Sequence, residues 1–265
     1  MHFQQIEALR YLTFDLLAEA GVRSAVFTRH GGVSQPPWAA LNVGGTVGDD
    51  PQHVRRNKGL ILQALELPEQ SIYDVWQVHG TEVVCTDAPR PQDGMHSRAD
   101  AILTNRPGVT LMMRFADCVP VLLADPVQRV AGIVHAGWQG TVNRVVQATI
   151  HTMTAHYGSY APDLRAVIGP SIGPDHYVVG QDVIDQVKDS FGADAPGLLR
   201  PRNGELPNGK AYLDLWRANQ IALEQAGVEH IQVSGICTAC HVQDWYSHRH
   251  EQGKTGRFGV VVTLG

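Results

Sequence analysis

The chain has 265 residues, of which 43% are apolar and only 18% charged, and its 21 Lys and Arg against 26 Asp and Glu give a net charge of −5. That composition excludes a disordered chain, and with no basic run beyond Arg55-Arg56 and nearby Lys58 it argues against nucleic acid or an anionic membrane as partner. Apolar runs such as Val119 to Ala124 fall far short of the roughly 18 residues that span a bilayer, and Glu7, Arg10, Asp15 and Glu19 interrupt the N-terminal apolar positions, so neither a membrane helix nor a secretory signal is expected and a cytoplasmic location is.

Over residues 6–20, Ile6, Leu9, Leu12, Leu16 and Leu17 recur at three-to-four spacing, which predicts an amphipathic helix or a mixture of strand and helix. Arg23 to Thr28 reads as a strand running into the Gly31-Gly32 turn, and Pro36-Pro37 as an irregular loop. Pro51 to Leu65 reads as a helix with proline at its start, Val54, Leu60, Ile61, Ala64 and Leu65 inward, and Arg55, Arg56 and Lys58 on its exposed face. Short apolar runs split by Gly, Pro and Asp predict strands over Ser71 to Val78, Glu82 to Thr86, Ala101 to Thr104, Val109 to Phe115, Val119 to Ala124 and Val130 to His135. A helix over Gln139 to Ala155 then packs on that sheet. Further helices at Gln181 to Phe191 and Ala211 to Ala226 alternate with strands at Ala166 to Ile168, Ile231 to Ile236 and Val260 to Leu264, and Pro196 to Gly209 reads as a surface loop. No internal repeat and no composition shift divides the chain, so a single domain over 1–265 is expected.

Three islands place a metal-competent side chain at a strand end beside a small residue: Trp76 to Gly80, Phe115 to Pro120 and His135 to Thr141. The Cys118 thiolate with the His79 and His135 imidazoles can offer a transition metal three ligands and leave a fourth position for water or substrate. Gly80 and Gly137 remove bulk where a ligand approaches, and Asp117 can orient a ligating ring or meet substrate directly. Residue by residue other readings stay open: a turn histidine, a buried thiol, a capping histidine, or a cysteine-hydrolase dyad of Cys118 with either His. The cysteines at 85, 118, 237 and 240 are too few and too irregular for a disulfide framework. Cys237-x-x-Cys240-His241 has the spacing of haem attachment, but without an export signal it reads as a strand-end cluster or as a second metal site. No Gly-rich phosphate loop is present, so NAD and ATP are not suggested.

QVHG at 77–80, ADCVP at 116–120 and HAGW at 135–138, in this order, resemble the YfiH family, also called the laccase-domain or multicopper polyphenol oxidoreductase family. TRHGGVS (28–34), LNVG (41–44), GDDPQHVRRN (48–57), IGPSIG (168–173), DLWRAN (214–219), Cys237-Thr238, Ser247-His248-Arg249 and TGR (255–257) extend the resemblance over roughly residues 20–265. It implies an α+β fold with mixed sheets flanked by helices, an αββα-type sandwich, working as a monomer or weak homo-oligomer. It also implies that His79, Cys118 and His135 hold zinc and serve catalysis with Asp117, and that Arg29, Asn42, Arg249 and Arg257 in matching motifs contact substrate. The implied activity is phosphorolysis of adenosine, inosine, guanosine and methylthioadenosine, together with adenosine deamination, so the partners are purine nucleosides and phosphate. Copper-dependent oxidation of phenols, a laccase-type activity, is the alternative. The residues favour a one-metal site, because His248-x-His250 is the sole His-x-His pair and cannot build a multicopper cluster. Two departures stand out. Gln139 occupies the place of the family's usual Arg, losing a charge, and Asp175-His176-Tyr177-Val178-Val179 replaces Cys-Cys-Tyr-Glu-Val.

Overall fold

The computed structural model of the protein describes residues 1–91, 93–201 and 209–265. The first half contains strands β1 (His2–Ile6) and β2 (Leu9–Thr13), a short helix α1 (Asp15–Ala18), β3 (Val22–Phe27) and helix α2 (Pro51–Ala64). There follow β4 (Ile72–Tyr73), β5 (Val83–Cys85), β6 (Ala101–Thr104), β7 (Thr110–Phe115), β8 (Val119–Asp125) and β9 (Val130–Ala136). The second half begins with α3 (Trp138–Val142), α4 (Val145–Tyr157), β10 (Arg165–Ile168), β11 (Val178–Val179) and α5 (Gln181–Phe191). It ends with α6 (Ala195–Leu198), β12 (Leu199–Arg200), β13 (Ala211–Leu213), α7 (Leu215–Gln225), β14 (His230–Val233) and β15 (Phe258–Leu264). One sheet runs β1-β2-β3-β15-β7-β4, a second β14-β10-β8-β9-β6-β5, and a small third β11-β13-β12.

Period-2 alternation explains how the layers stack. In β8, Val119, Val121 and Leu123 face a core shared with α4, α5 and α7, while Leu122 and Ala124 face the other sheet. In β15, Val260, Val262 and Leu264 enter the core between the sheets, and Val261 points outward to Ile61 of α2. Three successive cores therefore separate four layers, helix, sheet, sheet, helices, which is the expected αββα sandwich. Strands covered on both faces read as continuous apolar runs, as β8 and β9 do. Helix α2 starts where Asp50 accepts the Gln52 N–H at 2.8 Å and Pro51 supplies a ready φ angle. Among the described residues no helix is long and apolar enough to cross a membrane.

Several expected boundaries shift. Residues 6–20 form the mixture of strand and helix. The strand expected over Ser71 to Val78 is only β4, after which the chain bends, keeping a single bridge from Trp76 to Arg98. The helix expected over Gln139 to Ala155 breaks at Arg144, whose φ of +68° ends α3 before α4 begins. The helix expected from Ala211 starts four residues later, because Ala211–Leu213 pairs as β13 and the Asp214 carboxylate caps α7 by accepting the Arg217 N–H at 3.0 Å. Of the expected loop Pro196 to Gly209, Pro196 to Leu198 lie in α6 and Leu199–Arg200 form β12, while residues 202–208 lie outside the described residues. Lys58, expected on the exposed face of α2, is half-buried and turned toward Asp74, 3.4 Å away.

Candidate functional site

The antiparallel register of β8 and β9 pairs Val119 with Ala136 and Pro120 with His135. A cysteine just before β8 and a histidine near the end of β9 thus arrive at the same end of the sheet. His135 points between the sheets, where its ring lies 5.4 Å from that of Phe115. The bent segment after β4 brings in His79, and the ligand atoms of His79, Cys118 and His135 all lie within 4.8 Å of one another. Cys118 Sγ and His79 Nε2 are 3.9 Å apart.

Asp100, directly before β6, holds this arrangement together. It is fully buried. Its Oδ1 lies 2.8 Å from His135 Nδ1 and accepts the His79 N–H at 2.9 Å, while Oδ2 accepts the Val78 and Gly80 N–H groups at 3.1 and 2.7 Å. With Nδ1 engaged by this carboxylate, Nε2 is the His135 nitrogen left for Cys118 or a metal. Burial pushes the Asp100 carboxyl up, but these hydrogen bonds win and lower its pKa. The sequence offers Asp117 for orienting a ring or meeting substrate, and does not single out Asp100. The available signal was a lone carboxylate set among Ala99, Ala101 and Ile102 at a strand start.

Asp117 instead braces a neighbouring loop. Its carboxylate accepts the Thr238 hydroxyl and the Arg249 N–H, each at 2.6 Å. Both His79 (φ +61°) and Asp117 (φ +80°) sit in the left-handed region, which side-chain-bearing residues enter rarely and mainly where the surroundings over-determine them. Gly137 is required by space: a Cβ there would lie 2.9 Å from Cys118 Sγ and 3.0 Å from His79 Cδ2. Gly80 is not, since its Cβ would meet Asp100 at an ordinary 3.6 Å. Burial pushes the Cys118 thiol up, yet His135 and His79 beside it hold its pKa down at about 6. Burial likewise lowers His135, and the Cys118 thiolate with Asp100 raises it to about 9.

These side chains line a cavity of ≈ 680 Å³, within the usual range for small-molecule sites. Trp76 stands on its wall 52% exposed. Lys58, His96 and Arg114 line it as well and, with Arg90, surround the buried Asp74. Arg249, Arg257 and Gln139 also line the cavity. Arg29 and Asn42, expected as substrate contacts, do not. Arg29 is spent on the Ala39 and Val242 carbonyls at 3.0 and 2.8 Å and on Glu251 at 3.1 Å. Asn42 is fully buried, and its Oδ1 accepts the Gly44 and Arg257 N–H groups, so it positions Arg257.

The layered sheets, with the segments carrying His79, Cys118 and His135 gathered at one end, define a sandwich of the YfiH type. The chain belongs to the family described as multi-copper polyphenol oxidoreductase laccase, whose model matches residues 23–265. Among curated relatives, a purine nucleoside phosphorylase of Deinococcus radiodurans is 40% identical over 246 residues, covering 92% of this chain and 89% of the relative. The purine nucleoside phosphorylase YlmD of Geobacillus stearothermophilus is 34% identical over 268 residues, 98% and 96% of the two chains. The crystal structure of a hypothetical protein YfiH from Bacillus licheniformis superposes with a TM-score of 0.91 at 31% identity over 99% of both chains, and that of YlmD from Geobacillus stearothermophilus with 0.90 at 32% over 99% and 98%.

Proposed function

We propose that this chain is a zinc-dependent purine nucleoside phosphorylase that acts on adenosine, inosine, guanosine and methylthioadenosine, also deaminates adenosine, and works as a single catalytic domain over residues 1–265. The observation that carries the reading is the convergence of His79, Cys118 and His135 on a cavity that also offers an aromatic face and several cations. The names borne by the relatives support it.

The donor set fits zinc. With Zn–S near 2.3 Å and Zn–N near 2.05 Å, a tetrahedral ion separates sulfur from nitrogen by about 3.6 Å, and Cys118 Sγ stands 3.9 Å from His79 Nε2. Zinc held there would supply Lewis acidity and lower the pKa of a bound water or substrate oxygen. The purine stacks on the exposed face of Trp76. Phosphate is held by Lys58, Arg249 and Arg257 while one of its oxygens bonds to C1′ and the C1′–N9 bond breaks. Lys58 suits this role because Asp74 is its one protein hydrogen-bond partner among the described residues, which leaves donors for an anion. Lys58→Met is therefore expected to raise KM for phosphate about tenfold, the loss of one charge-assisted hydrogen bond, with kcat nearly unchanged, as initial rates at varied phosphate would read out.

Purified zinc-loaded protein incubated with inosine and phosphate is expected to release hypoxanthine and ribose 1-phosphate, and Cys118→Ala to reduce this to the rate without enzyme. Equal product from wild type and Cys118→Ala would overturn the reading. One observation favours a second reading: a thiol beside two imidazoles, one of them held by a buried carboxylate, is also how a thiol nucleophile is activated. Metal-free protein labelled at Cys118 by an acyl electrophile, without nucleoside turnover, would favour the hydrolase. Phenol oxidation by the protein without added copper would favour the laccase reading, whereas oxidation that appears only on copper loading would be adventitious; His248 and His250 join no metal-competent cluster among the described residues.

A further inference from the structure

Apart from the centre described above, one cluster of soft donors lies at the rim of the fold. The turn carrying Cys237 and Cys240 meets the segment after β10, and the ligand atoms of His176, Cys237 and Cys240 all lie within 4.8 Å of one another. Cys237 Sγ and Cys240 Sγ stand 3.7 and 3.6 Å from the same nitrogen, His176 Nδ1. A tetrahedral zinc ion demands a sulfur-to-nitrogen separation of about 3.6 Å, so both distances already suit an ion seated between the three atoms. The local backbone is built for this approach. Ser171 and Cys237 form a parallel bridge, the Gly173 N–H donates to Cys237 Sγ at 3.1 Å, and a Cβ on Gly173 would press on that sulfur at 3.1 Å. The sequence pairs Cys237 and Cys240 with His241, but His176, from 61 residues upstream of Cys237, takes the third place.

We propose that His176, Cys237 and Cys240 bind a second, thiophilic metal ion, zinc by the donor set, at a site separate from His79, Cys118 and His135 and independent of what that first centre does. Two thiolates and one imidazole exclude magnesium and calcium, which demand oxygen ligands. On binding, the two thiols release their protons to solvent, His176 coordinates through neutral Nδ1, and a water completes the tetrahedron. The ion fastens two supports of the cavity wall. His176 precedes Tyr177 and Val178, which hold Arg249 through its guanidinium 4.8 Å over the Tyr177 ring and a 2.7 Å bond to the Val178 carbonyl. Cys237 precedes Thr238, whose hydroxyl fixes Asp117, the acceptor of the Arg249 N–H. The bound metal thus acts as a positioning element for Arg249.

The test is metal stoichiometry on reduced full-length protein loaded with Zn(II) and freed of excess, with alkylation of each cysteine mapped by peptide mass. Wild type is expected to hold a second equivalent that is lost in Cys240→Ser and in His176→Ala, kept in His241→Ala, and still present in Cys118→Ala. Zinc is expected to protect Cys237 and Cys240 from alkylation. Co(II) substitution in the Cys118→Ala variant, whose first centre lacks its thiolate, is expected to show a thiolate charge-transfer band that Cys240→Ser removes. Near-UV circular dichroism checks that each variant is folded. Unchanged stoichiometry in folded Cys240→Ser and His176→Ala, or alkylation of Cys237 and Cys240 at one rate with and without zinc, would overturn the site. So would an isolated protein two hydrogens lighter through a Cys237–Cys240 disulfide that takes up no second equivalent after reduction.

Discussion

Asp100→Asn is expected to lower the zinc affinity of the site proposed at His79, Cys118 and His135 by about ten- to a hundredfold, the usual effect of losing a partner that orients a ligating histidine. The isosteric amide must turn its NH₂ toward donors, because the four groups around Asp100 are the Val78, His79 and Gly80 N–H groups and His135 Nδ1. Either the loop that carries His79 loosens, or His135 loses its acceptor and no longer keeps Nε2 free for metal. Activity should fall at least in step with metal occupancy. Competition with a chelator of known affinity at fixed pH measures the first effect and thermal unfolding of metal-free protein the stability change. Asp117→Asn is the comparison: its carboxylate holds Thr238 and the Arg249 loop, so it should leave zinc affinity nearly intact while raising KM. A metal affinity unchanged in Asp100→Asn despite a lower melting temperature would reduce Asp100 to a structural residue.

The contrast between Asp100 and Asp117 shows which features a sequence displays. Short continuous apolar runs announce β7, β8, β9 and β15, since each strand is buried on both faces whatever lies opposite. The island motifs announce His79, Cys118 and His135, because strand ends and small neighbours are local properties. A partner 35 residues distant in sequence is not local, whereas Asp117 is adjacent to Cys118 and yet turns its carboxylate to Thr238 and the Arg249 N–H. Lys58 falls on the outer side of an idealised α2, and only the placement of Asp74 beneath it turns it into the cavity wall. The α3–α4 break at Arg144 carries no glycine or proline to mark it. His176 rather than His241 joining Cys237 and Cys240 is likewise a product of tertiary approach, with Gly173 clearing the way.

The same dependence on distant partners makes Asp74 the most consequential ion behind the cavity wall, buried beneath Lys58, His96 and Arg114. Its buried carboxylate faces Lys58 at 3.4 Å, Arg90 at 2.9 Å, His96 at 3.1 Å and Arg114 at 3.3 Å. Burial pushes the Asp74 pKa up, but Lys58, Arg114 and the Arg90 hydrogen bond hold it at about 2, below the ordinary 3.8. A folded pKa below the unfolded one means that the stabilisation is complete above about pH 4 and is lost as pH falls through 2. Its size is about 2 kcal/mol. Part is offset by Lys58, whose pKa burial lowers despite Asp74, so that keeping it charged at neutral pH opposes folding. Asp74→Asn, which leaves Lys58, Arg90 and Arg114 facing one another, is expected to cost about 2–4 kcal/mol at pH 7. Denaturant unfolding at several pH values should show the gap between wild type and variant closing toward pH 2, whereas a gap independent of pH would assign the effect to shape rather than charge. Adding Lys58→Met to Asp74→Asn should recover part of the loss, because removing both members of a buried pair is far less damaging than stranding one. A purely additive double variant would mean that Lys58 and Asp74 are not coupled and that Arg90 and Arg114 alone balance the carboxylate.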